Sequence, residues 1–146
     1  MNKARVVERY KQLLNELDED ARSVILSAGA ALVVLGIREN TRGLDVAVQP
    51  GVFRYLSTAR PVVKEVGTSD TVQFAEDVNV HEFDDTTGVV CVEGVWMYSP
   101  SELLKQLRYL AKLPNSKEGK RETDLQEISQ LEQLIQGQRL TARVLA

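Results

Sequence analysis

The sequence predicts an α+β (α/β-type) fold: a β-sheet flanked by helices and followed by a helical C-terminal part. Three observations carry that expectation. Apolar residues recur at spacings of three and four at both ends of the chain. Short β-branched runs bounded by glycine or proline fill the middle. Between these regions, Ser99-Pro100-Ser101-Glu102 has the form of a capped helix start.

Asn2 to Leu17 reads as an amphipathic helix, because Val6, Tyr10, Leu13, Leu14 and Leu17 share one face. The acidic Asp18-Glu19-Asp20 stretch ends it. Ser23–Ser27 is apolar and β-branched and predicts a short buried strand. Ala28 to Gly36 predicts a small-residue helix stopped by Gly36. Leu44–Val48 is strand-like and closed by Pro50-Gly51. Phe53–Ala59 predicts a short helix before Pro61, and Val62–Val66 a short strand. Thr71 to Phe83 alternates through Val72, Phe74, Val78 and Val80, with a slip at Phe83. Asp84–Gly88 reads as a hairpin loop, and Val89–Tyr98 is β-rich with one break at Gly94. Cys91, among valines, is expected in the core. Trp96 and Tyr98 are expected to pack at the core and its rim. Leu103, Leu104, Leu107, Tyr109, Leu110 and Leu113 give the Ser99-capped helix its apolar side, and Pro114-Asn115 breaks it. A last helix, starting at Glu118 or Thr123 and reaching Gln136, carries Leu125, Ile128, Leu131, Leu134 and Ile135. The tail after Gly137 is expected to fray or to pack on a neighbour. Residues 1–22 are thus an N-terminal helix, 23–98 a sheet core and 99–146 helices packing on it, in one compact domain.

Composition narrows the function classes. With 43% hydrophobic and 27% charged residues, the 146-residue chain has a globular make-up. A net charge of −3 argues against a broadly basic nucleic-acid coat. One cysteine and one histidine, Cys91 and His81, exclude an intrachain disulfide and a multi-histidine metal site. The longest nearly apolar run, Val24–Ile37, is shorter than the ~20 residues a membrane span needs, so no membrane partner is expected. The first residues are charged and do not form a signal peptide, which points to the cytoplasm.

Charge is uneven. Glu76–Glu93 holds six acidic residues and no Lys or Arg, while Lys105–Glu122 holds six basic and two acidic ones. The segments are either two solvated faces or the two walls of a cleft suited to a metal-bound polyphosphate. The segment most suggestive of chemistry is Leu26-Ser27-Ala28-Gly29-Ala30-Ala31 followed by Gly36-Ile37-Arg38-Glu39-Asn40-Thr41-Arg42-Gly43-Leu44-Asp45-Val46-Ala47-Val48. A strand runs into a small-residue turn and helix, and then into a strand bearing Asp45. Gly29 would let a backbone N–H approach a phosphate. Asp45 could hold a divalent cation, or simply cap a loop. Arg38 and Arg42 suit either a bidentate phosphate grip or pairing with nearby acids. Asp77, Asn79 and His81 alternate, as metal ligands or as the polar face of a half-exposed strand.

On these residues the chain resembles the polymerase-β-type nucleotidyltransferase superfamily, especially its small bacterial and phage members. Gly36-Ile37-Arg38-Glu39-Asn40-Thr41-Arg42-Gly43-Leu44-Asp45 is similar to the family's Gly-Ile-Arg-x-x-Thr-Arg-Asp-x-Asp run. Tyr98-Ser99-Pro100-Ser101-Glu102-Leu103-Leu104 is similar to the helix after the catalytic sheet. Lys117, Lys120, Arg121 and Asp124-Leu125-Gln126-Glu127-Ile128 are similar to the basic final helix. The resemblance implies a mixed sheet and an Mg²⁺-dependent transfer from a nucleoside triphosphate (NTP). Asp45 and Asp77 would be catalytic, with Asp45 holding metal together with Asp77 or Glu82. Ser27, Gly29, Arg38, Arg42, Lys117, Lys120 and Arg121 would bind nucleotide or phosphate.

Three positions depart from the family pattern. The Gly-Gly or Gly-Ser turn is Ala28-Gly29, the second carboxylate of the pair is Ala47, and the third falls at Asn79. Two-metal phosphoryl transfer needs several anionic oxygens around cations ~3.5–4 Å apart. Nucleotidyl transfer is therefore expected to be weakened or lost, leaving a module that binds a nucleotide or nucleic-acid phosphate. Two alternatives stand beside it. One is an active Mg²⁺-dependent nucleotidyltransferase acting on a protein, RNA or small-molecule hydroxyl. The other is a non-catalytic module that binds a protein partner or forms a homodimer.

Overall fold

The computed structural model describes residues 1–60, 62–64, 70–84, 88–112 and 118–145. The chain divides into two compact units, Met1–Tyr98 and Ser99–Ala146. The first contains α1 (Lys3–Leu17), a 3-10 turn (Ala21–Ser23), β1 (Val24–Ser27), α2 (Ala28–Val34), β2 (Leu44–Val48), α3 (Pro50–Ala59), β3 (Val62–Lys64), β4 (Asp70–Ala75), β5 (Val78–Glu82), β6 (Val89–Val92) and β7 (Val95–Tyr98). The second contains α4 (Pro100–Ala111) and α5 (Glu118–Leu145). The fold is mixed α+β.

The seven strands form one sheet in the order β3-β4-β5-β2-β1-β7-β6. β2 runs antiparallel to β1 and parallel to β5, and β1 runs parallel to β7. Strand alternation divides the sheet into two faces. Val24, Leu26, Leu44, Val46, Val48, Val72, Val78, Val80, Val95 and Met97 lie on one, each at most 1% exposed. Side chains of this size contribute ~1.5–3 kcal/mol each when fully buried. Helix α1 buries Val6, Tyr10 and Leu13 at the expected spacing. The Tyr10 hydroxyl reaches the carbonyl oxygens of Ala21 (2.7 Å) and Val24 (2.8 Å) and so ties α1 to the start of β1. Burial pushes its pKa up to about 12.

Helix α2 is buried on nearly all sides, which its alanines and glycine permit. It ends in a Schellman-type turn: Ile37 N–H bonds Leu32 O, Gly36 N–H bonds Val33 O, and Gly36 takes φ +79°. The β6–β7 hairpin closes on Glu93 and Gly94, both at positive φ, as a two-residue primed turn requires.

Several expectations need correction. Thr71–Phe83 is not one strand but the β4–β5 hairpin, turning at Glu76-Asp77 with a register shift between Gln73 and Ala75. Cys91 is exposed, because β6 is a sheet edge whose residues are only partly covered. Helix α5 continues through Gly137 to Leu145. One glycine costs a helix only ~1 kcal/mol, too little to stop it. Leu125 is 56% exposed, whereas Asp124 and Glu127 are 4% exposed and Leu131 is buried. The buried stripe of α5 therefore runs through 124, 127 and 131, about 100° around the helix from Leu125.

In the second unit, Ser99 caps α4 by accepting from Glu102 N–H at 3.3 Å, as the sequence predicts. Helix α4 buries Leu103, Leu104 and Leu107. It lies against α5, where Arg108 meets Glu132 at 2.9 Å. Pro114-Asn115 lies outside the described residues. Among the described residues, no helix is long and apolar enough to cross a membrane.

Candidate functional site

The second face of the sheet carries the polar residues. Pairing registers place Gln73, Asn79, Asp45 and Ser27 side by side across β4, β5, β2 and β1. One step along, Thr71, His81, Ala47 and Ile25 form the next row. The expected positions 27, 45 and 79 are thus brought together on three adjacent strands. The Ser27 hydroxyl donates to the Asp45 carbonyl oxygen at 3.2 Å, which fixes it against β2.

The β1–α2 junction adjoins this row. Ala28 has φ +51°, a left-handed conformation that costs a side-chain-bearing residue roughly 1–2 kcal/mol and that glycine adopts freely. Gly29 is buried. A methyl group there would collide with the Arg38 guanidinium and press on the Thr41 hydroxyl. The space at Gly29 is therefore used by Arg38, brought back by the loop between α2 and β2. Thr41 Oγ1 donates to Gly43 O (3.2 Å), and Thr41 N–H donates to Met1 O (2.9 Å). Arg38 is half-buried and Arg42 is exposed. Thr41 is a contributor that the sequence reading did not single out.

The other two expected carboxylates go elsewhere. Asp77 stands in the β4–β5 turn, not in the strand, and its carboxylate is held by Arg9 of α1 at 2.8 and 3.3 Å. Arg9 also meets Glu16 at 2.9 Å. The Arg9 guanidinium holds the Asp77 carboxyl below the usual carboxylate range, and the hydrogen bond to Asp77 raises Arg9 in turn. The signal for this contact was Arg9 itself, a charged residue within the apolar stripe of Val6, Tyr10 and Leu13. Glu82 pairs in register with Val48, and alternation sets it on the face of Val78 and Val80, opposite Asp45. Of the three expected metal carboxylates, Asp45 alone faces Ser27 and Asn79. Among the described residues, no group of three or more His, Cys, Asp or Glu side chains is placed to hold a metal. This donor set does not fit two divalent cations, which need several anionic oxygens between them.

Ala47, at the second carboxylate position, is 0% exposed and its neighbour Ile25 is 2% exposed. Aromatic rings stand on the same face. Tyr98 stacks near-parallel with His81, centroids 6.5 Å apart, and with Phe83, centroids 6.0 Å apart. Tyr98 and His81 stand on β7 and β5, three strand spacings or ~14 Å apart. Rings this close lean inward over β1 and β2, from Tyr98 beside Ser27 and His81 beside Ala47. Burial lowers the His81 pKa, so its imidazole is neutral at pH 7.

Lys117 lies outside the described residues, and Lys120 and Arg121 are placed only by backbone, near the start of α5. Comparison with family models, curated proteins and solved structures finds no match to this chain.

Proposed function

We propose that this chain is a nucleotidyltransferase-like binding module that takes the phosphate of a nucleotide or nucleic acid without two-metal nucleotidyl transfer. The observation that carries this reading is the Ser27–Asp45–Asn79 row with its single carboxylate, bordered by Arg38 over Gly29. A guanidinium presents a planar pair of N–H donors to a phosphate and needs no metal to do so. Arg42, exposed on the same loop, adds a second positive charge. With Asp77 held by Arg9, Glu82 on the opposite face and an alanine at position 47, the expected carboxylates that cation-assisted attack requires do not stand beside Asp45. A soluble, cytoplasmic setting accords with the absence of a membrane-spanning helix among the described residues.

Thermal unfolding with each of the four NTPs, and with tripolyphosphate, tests this reading with Mg²⁺ present and with EDTA. A ligand that binds only the folded state raises the midpoint, by ~2.7 kcal/mol of stabilisation at 100 times its Kd. The expected result is a shift that survives EDTA and disappears in Arg38→Ala/Arg42→Ala. A shift that requires Mg²⁺ and is lost in Asp45→Ala would overturn it in favour of an active transferase. No shift with any of these ligands would remove the phosphate reading.

A further inference from the structure

Away from the polar row, an open groove of about 480 Å³ runs between the end of α1, helix α3 and strand β4. Val52, Tyr55 and Leu56 of α3 line one side. Glu16, Leu17 and Glu19, at and just beyond the end of α1, line the other. Phe74 closes one end, with the Arg60 guanidinium 4.4 Å from its ring centroid. Tyr55 is 74% exposed, an unusual amount for an aromatic side chain at the lip of an apolar groove.

The α1 wall is strongly negative. The last turn of α1 has no basic residue, and Asp18, Glu19 and Asp20 follow it directly. The helix macrodipole adds negative potential at this end, so these acids sit where their own helix disfavours them. Glu16 shares Arg9 with Asp77, and among the described residues the Glu19 carboxylate has no ion-pair partner. Arg60, its guanidinium over the Phe74 ring, is the cation of the same lining. The groove thus combines apolar side chains with an uncompensated carboxylate at one end.

We infer that this groove docks a peptide segment of a partner protein in which a lysine or arginine adjoins apolar side chains, the cation meeting Glu19 and the apolar residues covering Tyr55, Val52 and Leu56. Charge complementarity selects the cation, and the groove's openness favours an extended segment over an enclosed small molecule. The surface does not depend on the phosphate reading, since none of its residues belongs to the Ser27–Asp45–Asn79 row.

The test is selection of the intact protein against a random nonapeptide library, followed by fluorescence polarisation with the enriched peptides. Enrichment of sequences placing Lys or Arg beside Leu, Ile, Phe or Met is expected. Glu19→Lys and Tyr55→Ala should each weaken those peptides by about tenfold at an unchanged thermal midpoint, as both side chains are exposed or half-exposed. Selection of no motif, selection of an acidic or uncharged motif, or affinities unmoved by both substitutions would each overturn the proposal. A loss of affinity that is smaller in Glu19→Gln than in Glu19→Lys, and that high salt reproduces, would confirm that the carboxylate's charge is what the peptide reads.

Discussion

Replacing Ala47 with aspartate supplies the second carboxylate of the resembled metal pair, and the surroundings of that position set the consequence. Ala47 is 0% exposed, between Ile25 at 2% and His81 on the neighbouring strands. A carboxylate confined there is forced toward its neutral form. If its pKa rises from ~3.9 to 7 or above, the folded state loses ~4 kcal/mol at pH 7. Fitting the extra atoms at a fully buried position adds ~1–3 kcal/mol. The sum, ~5–7 kcal/mol, is comparable with the whole stability of a typical domain. The sign of the pH dependence follows from the raised pKa: the penalty grows with pH and shrinks on acidification, by ~2.7 kcal/mol between pH 7 and pH 5. Urea unfolding at the two pH values measures both quantities. An Ala47→Asp protein of parental stability at pH 7 that gains an Mg²⁺-dependent response to NTP would refute the reasoning, because the face would then be open to metal.

Three further outcomes follow from the same geometry. Ala28→Gly relieves the φ of +51° and should stabilise by ~0.5–1 kcal/mol, raising the thermal midpoint by roughly 2–4 °C; a lowered midpoint would mean that the turn is not strained. Asp77→Asn leaves Arg9, whose side chain is 8% exposed, with Glu16 alone and should cost ~2 kcal/mol at neutral pH. Because the Asp77 pKa is lowered in the fold, its contribution is present above the usual carboxylate pKa and is lost as pH falls through the lowered value, so the variant's acid denaturation profile should be flatter below about pH 4. Tyr10→Phe removes the hydroxyl that reaches Ala21 O and Val24 O and should cost ~1–3 kcal/mol. With the Tyr10 pKa raised to about 12, its stabilisation is full below about pH 10 and declines from there toward pH 12, and chemical denaturation in that window should show a decline that the variant lacks.

The legible parts of this sequence are those whose signals are local. Leu44–Val48 is read with the bounds the strand has, because five alternating residues end directly before Gln49-Pro50. The stop of α2 at Gly36 and the Ser99 cap of α4 depend on one or two neighbouring residues each. The β4–β5 hairpin was hidden because Glu76-Asp77 contains no Gly, Pro or Asn and a register shift breaks the alternation. Around the site, Ser27 and Asn79 were singled out by the family resemblance, and Asp45 by its place on the strand after the small-residue helix as well. The loss of Asp77 to Arg9 was not, since the partners are 68 residues apart and only the folded chain brings them together. The ring pair of Tyr98 and His81 is equally non-local, since it forms across two intervening strands.

The sheet order also bears on how the chain is made. Strand β1 lies near the centre of the sheet, paired with β2 on one side and with β7 on the other. The first partner follows within about 20 residues, but Met97, which faces Leu26, follows only about 70 residues later. At ~5–20 residues per second of synthesis, one edge of a strand buried along its whole length waits ~4–14 s for its neighbour. An unpaired edge of this kind is a template for strands from other chains. The nascent protein is therefore most exposed to intermolecular pairing after β2 has emerged and before Val95–Tyr98 leaves the ribosome, and a stall in that interval would favour aggregation over folding.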